Sequence, residues 1–320
     1  MLQAPFPWFG GKSRAVAEVS AAIGRIDNYI EPFAGSLGVL LQRDPTDIET
    51  VNDADGLLIN FWRAVQADPE AVAKAADWPV SEVDLSARHL WLVQHRAAIT
   101  ERLQVDPHFY DATLAGWWCW GLCCWIGTGW CSGEGPWSSE DGATWTGNAG
   151  RGIHRQLPHL GNAGMGIHRK LPHLGDAGRG ILTWMEALRD RLRRVRICCG
   201  DWARVVTPSV TDRHGLTGVL LDPPYHDGHD AEEGLYAAGG GADVWAAAAA
   251  WAVEAGERPT MRIVLCGYDG AWTPPKGWTE TTFTARKGYA NNGNERRERL
   301  WLSPHCVRPS QLSLLGGRDA

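Results

Sequence analysis

The sequence predicts an α/β chain built around a mixed, mostly parallel sheet and interrupted by one insertion. Three observations carry this. Short apolar runs alternate with stretches of helical periodicity, the pattern of strands joined by crossover helices. Several of those runs end on acidic or glycine-containing turns, where α/β sheets hold ligands. Composition changes abruptly near residue 111, where tryptophan, glycine and cysteine take over.

Taken in order, residues 13–23 read as a helix with Ser13 as its N-cap. Residues 28–31 read as a short strand, and the turn from Pro32 to Ser36 opens a helix from Leu37 to Gln42. Residues 49–52 form a second strand ending at Asp53, and 57–66 and 87–103 are helical by periodicity. Residues 111–181 are the insertion, read as loop-rich. Seven tryptophans lie between Trp117 and Trp145, followed by a tandem repeat in which 147–160 and 161–174 agree at 12 of 14 positions and a truncated third copy starts at Gly175. That period is shorter than the usual solenoid unit, and its Gly and Pro exclude a regular helix. The pattern then resumes with a helix over 182–192, a strand over 194–199, a very apolar strand over 216–221, a helix over 244–255 and a buried strand over 262–266. Residues 279–285 and 298–302 read as a closing pair of strands, and 304–320 as a tail. The catalytic unit is therefore expected at 1–110 and 182–303.

A chain of 320 residues with 44% apolar and 21% charged residues can bury a sizeable core. Its net charge of −6 excludes a protein that holds nucleic acid by bulk charge, but leaves room for a local basic groove. The start lacks the basic and apolar run of a secretory signal, and the longest apolar stretch, 244–253, is too short to span a bilayer. A cytoplasmic chain with reduced cysteines and no membrane partner is expected.

Four short constellations carry chemistry. Asp222-Pro223-Pro224-Tyr225 follows a buried strand. An acid there can accept a hydrogen bond from an amino group, the prolines stiffen the turn while leaving carbonyls free, and the ring offers a stacking face. Together they suit the exocyclic amine of a nucleobase; the plainer reading is a Pro-Pro turn with a solvated acid. Glu31-Pro32-Phe33-Ala34-Gly35-Ser36-Leu37-Gly38 runs from a strand into a glycine turn that lets a ligand approach the backbone. Asp53 ends the next strand, where Rossmann-type folds place the acid that binds ribose. A helix N-cap is the plainer role for Asp53 or Asp55. Trp8-Phe9-Gly10-Gly11-Lys12 precedes the first helix without the spacing of a Walker A loop, and Gly200-Asp201-Trp202 supplies an acid and an aromatic after a strand.

The order of these motifs resembles the Dam-type (D12 class) DNA adenine-N6 methyltransferases, over roughly 1–60 and 195–302. The resemblance implies a Rossmann-like, S-adenosylmethionine-dependent methyltransferase fold, with the insertion as the target-recognition region. By position it assigns Trp8, Gly11 and Lys12 to the N-terminal cofactor motif. It places Glu31, Phe33 and Gly35 around the methionine moiety, Asp53 on the ribose, and Asp201 with Trp202 at the cofactor adenine. It gives the flipped target base to Asp222, the Pro223 carbonyl, Pro224 and Tyr225. The family usually carries a second glycine two residues after the first; here Leu37 stands there and Gly38 follows. The tryptophan-rich version with Leu-Pro-His-Leu repeats is similar to variants common among actinobacteria and their phages.

The insertion's His and Cys residues lack the paired spacing of a zinc site, so no metal is expected and the cysteines are read as packing in a tryptophan-rich core. Arg151, Arg155, Arg169, Lys170 and Arg179 are candidate phosphate or base contacts, against a glycine-rich structural loop as the plainer reading. Arginines in 189–196 and Arg296, Arg297 and Arg299 are further phosphate candidates, although such runs are commonly solvated faces. The expected function is methyl transfer from S-adenosylmethionine to adenine N6 in double-stranded DNA, by a monomer or weak dimer. The alternatives are an N4-cytosine or RNA amino methyltransferase using the same site, and a non-catalytic nucleic-acid-binding module on this scaffold.

Overall fold

A computed structural model describes residues 2–8, 10–125, 130–131, 137–138, 146–147, 180–224, 241–283 and 298–308. In chain order the elements are α1 (Val16–Ile23), β1 (Asn28–Glu31), β2 (Ile48–Asp53), α2 (Gly56–Ala67), α3 (Pro69–Ala76), α4 (Glu82–Val105) and α5 (Ala112–Cys124). The short strands β3 (Trp137–Ser138) and β4 (Thr146–Gly147) pair with each other. Then come α6 (Ile181–Leu192), β5 (Val195–Cys199), β6 (Thr217–Leu221), α7 (Gly241–Gly256), β7 (Met261–Tyr268), β8 (Thr279–Thr281) and β9 (Glu298–Leu302).

Seven strands form one sheet in the order β5-β2-β1-β6-β7-β9-β8. The first five are mutually parallel, while β9 runs antiparallel to both β7 and β8. Numbered by their appearance in this sheet, the order is 3-2-1-4-5-7-6. That is the doubly wound Rossmann order with one further strand inserted antiparallel near the edge. The strand order reverses between β1 and β6, so a crevice is expected beyond their C-terminal ends.

Strand periodicity sends alternate side chains to opposite faces, and the core divides accordingly. Tyr29, Leu220, Val264 and Cys266 join the cluster beneath α1, α2, α5 and α6. Ile30, Val219, Leu221, Ile263 and Leu265 join the cluster beneath α7. Both faces are covered, which is why β6 and β7 read as near-continuous apolar runs rather than alternating ones.

Several local expectations fail for identifiable reasons. Ser13 does not cap α1: the helix begins at Val16, and its N-cap, Ala15, supplies no side-chain bond. The preceding residues are taken up by a turn in which the Ala15 N–H donates to the Lys12 carbonyl at 3.0 Å. The helix expected from Leu37 to Gln42 is a chain of turns. Gly35 (φ 47°) and Leu37 (φ 53°) both sit in the left-handed region, and the Leu40 N–H donates to the Glu31 carboxylate, so no α-helical ladder propagates. Helix α3 was not anticipated, although Asp68 caps it and Pro69 stands at its first position.

The start of the segment expected as a loop-rich insertion is also not loop. Residues 112–124 form α5, capped by Asp111 through the Leu114 N–H, and Leu114, Ala115, Trp118, Cys119 and Cys123 belong to the main core. A β-carbon on Gly116 would fall on Ala75 of α3, so only glycine allows the two helices to approach this closely. The four cysteines 119, 123, 124 and 131 are buried. Beyond α5, the segment expected as an insertion is described only at 125, 130–131, the two short strands and 180–181. The return path is fixed by Arg191 of α6, whose guanidinium grips the buried Glu49 of β2 at 2.6 and 2.8 Å and the Leu40 carbonyl at 2.7 Å. Arg191 is therefore committed to the core rather than free for phosphate, and Arg189 pairs with Asp190.

Candidate active site

Four strand ends meet beyond β1 and β6, where the strand order places the ligand side of the sheet. Asn52, near the end of β2, ties three of them: its Nδ2 donates to the Pro32 carbonyl after β1 (3.0 Å) and to the Gly200 carbonyl after β5 (2.9 Å). Its own carbonyl accepts from the Ala34 N–H. Next to it, Asp53 accepts from the Gly35 N–H (3.1 Å) and the Asp55 N–H (3.0 Å). Asp55, not Asp53, is the N-cap of α2, accepting from the Leu57 N–H. The two acids that sequence left as alternatives thus have separate duties. Burial pushes the Asp53 carboxyl up to about 6, against the opposing pull of the N–H groups that bond it.

The glycine turn after β1 interlocks with the N-terminal segment. Gly35 lies against the Trp8 indole, where a β-carbon would come within 2.7 Å of its Nε1, and the Gly35 carbonyl accepts from Trp62 Nε1 at 3.0 Å. A β-carbon on Gly38 would meet the Ser13 backbone nitrogen at 2.8 Å. Leu37 takes the left-handed conformation that a second glycine would adopt freely, and its side chain is buried in the core. The departure at this position is thus absorbed at the backbone by hydrophobic burial of Leu37.

Lys12 is carried into the crevice by this interlock. Its side chain is almost fully buried, at 3% exposure. Its Nζ lies 3.0 Å from Asp222 Oδ1, donates to the Gly10 carbonyl at 2.7 Å, and stands 3.7 Å from Glu298 Oε2. Burial alone would lower its pKa, but the charges of Asp222 and Glu298 outweigh it, so the ammonium is held above its ordinary value. Asp222 follows β6 directly, with its side chain 21% exposed and open to a ligand.

Glu31, at the end of β1, is buried on the same side. Its Oε1 accepts from the Tyr29 hydroxyl (2.8 Å) and the Leu40 N–H (2.9 Å). Burial pushes its pKa up to about 7, opposed by those two donors and by Arg43, which lies over the Tyr29 ring. Because the folded value is raised, the stability attached to this group is fully present below the ordinary value near 4.5 and is lost as pH rises through about 7. Glu31→Gln keeps an acceptor for both donors and removes that loss. The stability of the variant relative to wild type is expected to improve steadily from acid to mildly alkaline pH, as read by denaturant unfolding; a pH-independent difference refutes this placement of the charge.

Phe33 and Trp202 face each other at 5.8 Å across the ends of β1 and β5, with Trp251 of α7 beyond. Asp201 caps the short helical turn after β5 by accepting from the Ala203 N–H at 2.7 Å. The structure thus brings Trp8, Gly11, Lys12, Glu31, Gly35, Asp53 and Asp222 into one neighbourhood, with Phe33, Asp201 and Trp202 on its β5 side. Pro223 and Pro224 continue the turn from Asp222. Tyr225 and the cations Arg151, Arg155, Arg169, Lys170 and Arg179 lie outside the described residues. Arg296 and Arg297 do too, whereas Arg299 is committed to Asp269 and Glu280. Sequence reasoning missed Asn52 and Glu298. Each stands beside a motif or in a plain strand, and only strand pairing reveals its reach.

The strand order defines a Rossmann-like α/β fold, consistent with that of a methyltransferase. Residues 8–88 match the family model of the D12 class N6 adenine-specific DNA methyltransferases. The matched stretch holds the Trp8–Lys12 segment, the Glu31–Gly38 turn and Asp53; Asp222 and Glu298 lie beyond it. No curated protein matches the chain. Among the described residues no helix is long and apolar enough to cross a membrane.

Proposed function

We propose that this protein transfers a methyl group from S-adenosylmethionine to the exocyclic N6 of adenine in double-stranded DNA. The observation that carries the reading is Asp222 at the topological switch point, fixed by a buried lysine from the segment that also shapes the glycine turn after β1. The site's residues fit the cofactor. Asn52 Oδ1 is buried without a hydrogen-bond partner among the described residues, at the junction of three strand ends. Glycine at position 35 keeps the turn after β1 close against Trp8, and Glu31 and Asp53 supply acids that suit a cationic, hydroxyl-rich ligand. When bound, S-adenosylmethionine supplies an electrophilic methyl on its sulfonium.

The chain's part in the chemistry falls to acceptors. An exocyclic amine is a weak nucleophile because its lone pair is delocalised into the ring. Asp222 and the Pro223 carbonyl, accepting hydrogen bonds from its two N–H groups, favour a pyramidal nitrogen and stabilise the positive charge that develops there until one of those protons is lost to solvent. Holding the amine in line with the methyl provides much of the rate gain. The base must leave the stack to reach Asp222, and Tyr225 is assigned as its stacking face. Trp8, Gly11, Lys12, Glu31, Phe33, Gly35, Asp53, Asp201 and Trp202 are assigned to the cofactor side. The segment beyond Cys131 is assigned to target recognition through Arg151, Arg155, Arg169, Lys170 and Arg179.

The test is incubation with unmethylated DNA and methyl-labelled cofactor, followed by digestion to nucleosides. Label in N6-methyladenine supports the reading, and label in N4-methylcytosine retains the site but changes the base. Cofactor binding with no label on DNA overturns it. Cofactor affinity is further expected to weaken as pH falls below about 6, where Asp53 protonates and becomes a poorer acceptor for ribose hydroxyls. Calorimetric titration across that range checks it, and Asp53→Asn should flatten the dependence.

A further inference from the structure

Among the described strands of the larger sheet, β9 alone runs against the others, between β7 and β8. In a parallel sheet only the last residues of strands face the ligand side. Because β9 is reversed, its first residue arrives there instead: Glu298 pairs with Tyr268, the last residue of β7. The register is locked at the adjoining position. Arg299 reaches Asp269 at 2.7 Å, just past β7, and Glu280 of β8 at 3.0 Å, while Trp301 Nε1 donates to the second oxygen of Glu280. A slip of one residue would turn Glu298 to the opposite face.

Held this way, Glu298 approaches Lys12 Nζ at 3.7 Å, on the same ammonium that contacts Asp222 at 3.0 Å. Glu298 and Asp222 are each about one-fifth exposed, whereas the ammonium between them is nearly buried. A lysine has four rotatable bonds and a point charge, so one carboxylate alone does not fix where its ammonium sits. Two carboxylates and the Gly10 carbonyl do. Arg14 also lies within electrostatic range of Glu298, on the N-terminal side.

We infer that Glu298 is a positioning residue for the catalytic acid: it shares the buried Lys12 ammonium with Asp222 and thereby fixes the carboxylate that receives the target amine. The inference rests on the methyltransferase reading for its catalytic consequence, but not for the contact itself. The expected burial effect agrees in direction, since desolvation raises the Glu298 pKa against the opposing pull of Lys12.

Glu298→Gln, Glu298→Asp and Glu298→Ala in the full-length protein test it, with two readouts. The first is steady-state methyl transfer to unmethylated genomic DNA. Glu298→Gln is expected to lower kcat about ten- to a hundredfold, the scale of a small misplacement of a reacting group, with cofactor KM within about twofold. Glu298→Asp should recover part of the loss. The second readout is the carbon-13 NMR titration of lysine side chains, with the Lys12 signal assigned from Lys12→Arg. In Glu298→Gln the Lys12 signal should begin to titrate at lower pH than in wild type. Unchanged kcat in a folded Glu298→Gln protein overturns the inference. So does equal loss in all three variants with a lowered Tm, no rescue by Asp and an unmoved Lys12 titration, which would mark a purely structural residue. If wild type methylates no nucleic acid, the functional reading falls, while the Lys12 titration still decides whether Glu298 holds the ammonium.

Discussion

Asp222→Ala is expected to reduce methyl transfer by roughly 10²–10³-fold, the scale seen when one preorganised partner of a developing charge is removed. The protein should nevertheless fold. Asp222 lies after β6, not in it, and is partly exposed, so its truncation leaves no cavity in the core. Lys12 keeps Glu298 and the Gly10 carbonyl as partners. Cofactor affinity should change far less than kcat, because the acids assigned to the cofactor, Glu31 and Asp53, keep all their hydrogen bonds when Asp222 is removed, and Asp222 reaches Glu31 only as the smallest of the charges acting on it. Label incorporation at saturating cofactor, together with calorimetric cofactor binding, separates the two effects. A variant that retains more than about a tenth of wild-type kcat would exclude Asp222 as the acceptor of the target amine.

Lys12→Met carries the second large effect, and it falls on stability as well as activity. Methionine matches the stem of lysine but removes the ammonium that Asp222 and Glu298 share. Removing one partner from a buried ionic cluster costs roughly 3–5 kcal/mol. The pH dependence has a definite sign. In wild type the Lys12 pKa is raised, so its contribution is present throughout neutral pH and is lost only in strongly alkaline solution. In the variant the penalty comes from ionised carboxylates, so it shrinks as pH falls and Glu298 protonates. Denaturant unfolding at mildly acidic and mildly alkaline pH should therefore show a gap between wild type and variant that narrows on the acid side. Lys12→Arg should recover part of the stability but little of the rate, because a planar guanidinium cannot occupy the position of a compact ammonium at 3.0 Å from Asp222 without moving it.

The parts of the fold that sequence made legible are those decided locally. Strands β6 and β7 are continuous apolar runs and could hardly be anything but buried parallel strands. β9 was read with its bounds intact. Asp222 stands out because an acid, a stiffened turn and a neighbouring ring after such a run suit an exocyclic amine, beside the plainer reading of a Pro-Pro turn. The failures have a common cause. The turn from Leu37 to Gln42 has the periodicity of a helix, but its backbone is claimed by other partners: Asp53 takes the Gly35 N–H and Glu31 takes the Leu40 N–H. Ser13 is a good cap residue whose backbone is instead packed under Gly38. Helix α5 was hidden by its composition, because glycine and tryptophan disfavour a helix taken alone; packing against α3 and burial of Trp118 and Trp120 override that preference.

The sequence by itself determined that this is an α/β chain with acids and glycines at strand ends, in an order that resembles one methyltransferase family. Those features depend on residue type and short-range spacing, which a linear reading retains. Tertiary structure alone decided which acid does what. Asp53 and Asp55 differ by two positions, yet one braces the Gly35 turn and the other caps α2. Lys12, Asp222 and Glu298 come from three distant parts of the chain and meet at one ammonium. That meeting depends on strand order and on the reversed direction of β9, and both are settled by burying two faces of a sheet at once rather than by any local preference.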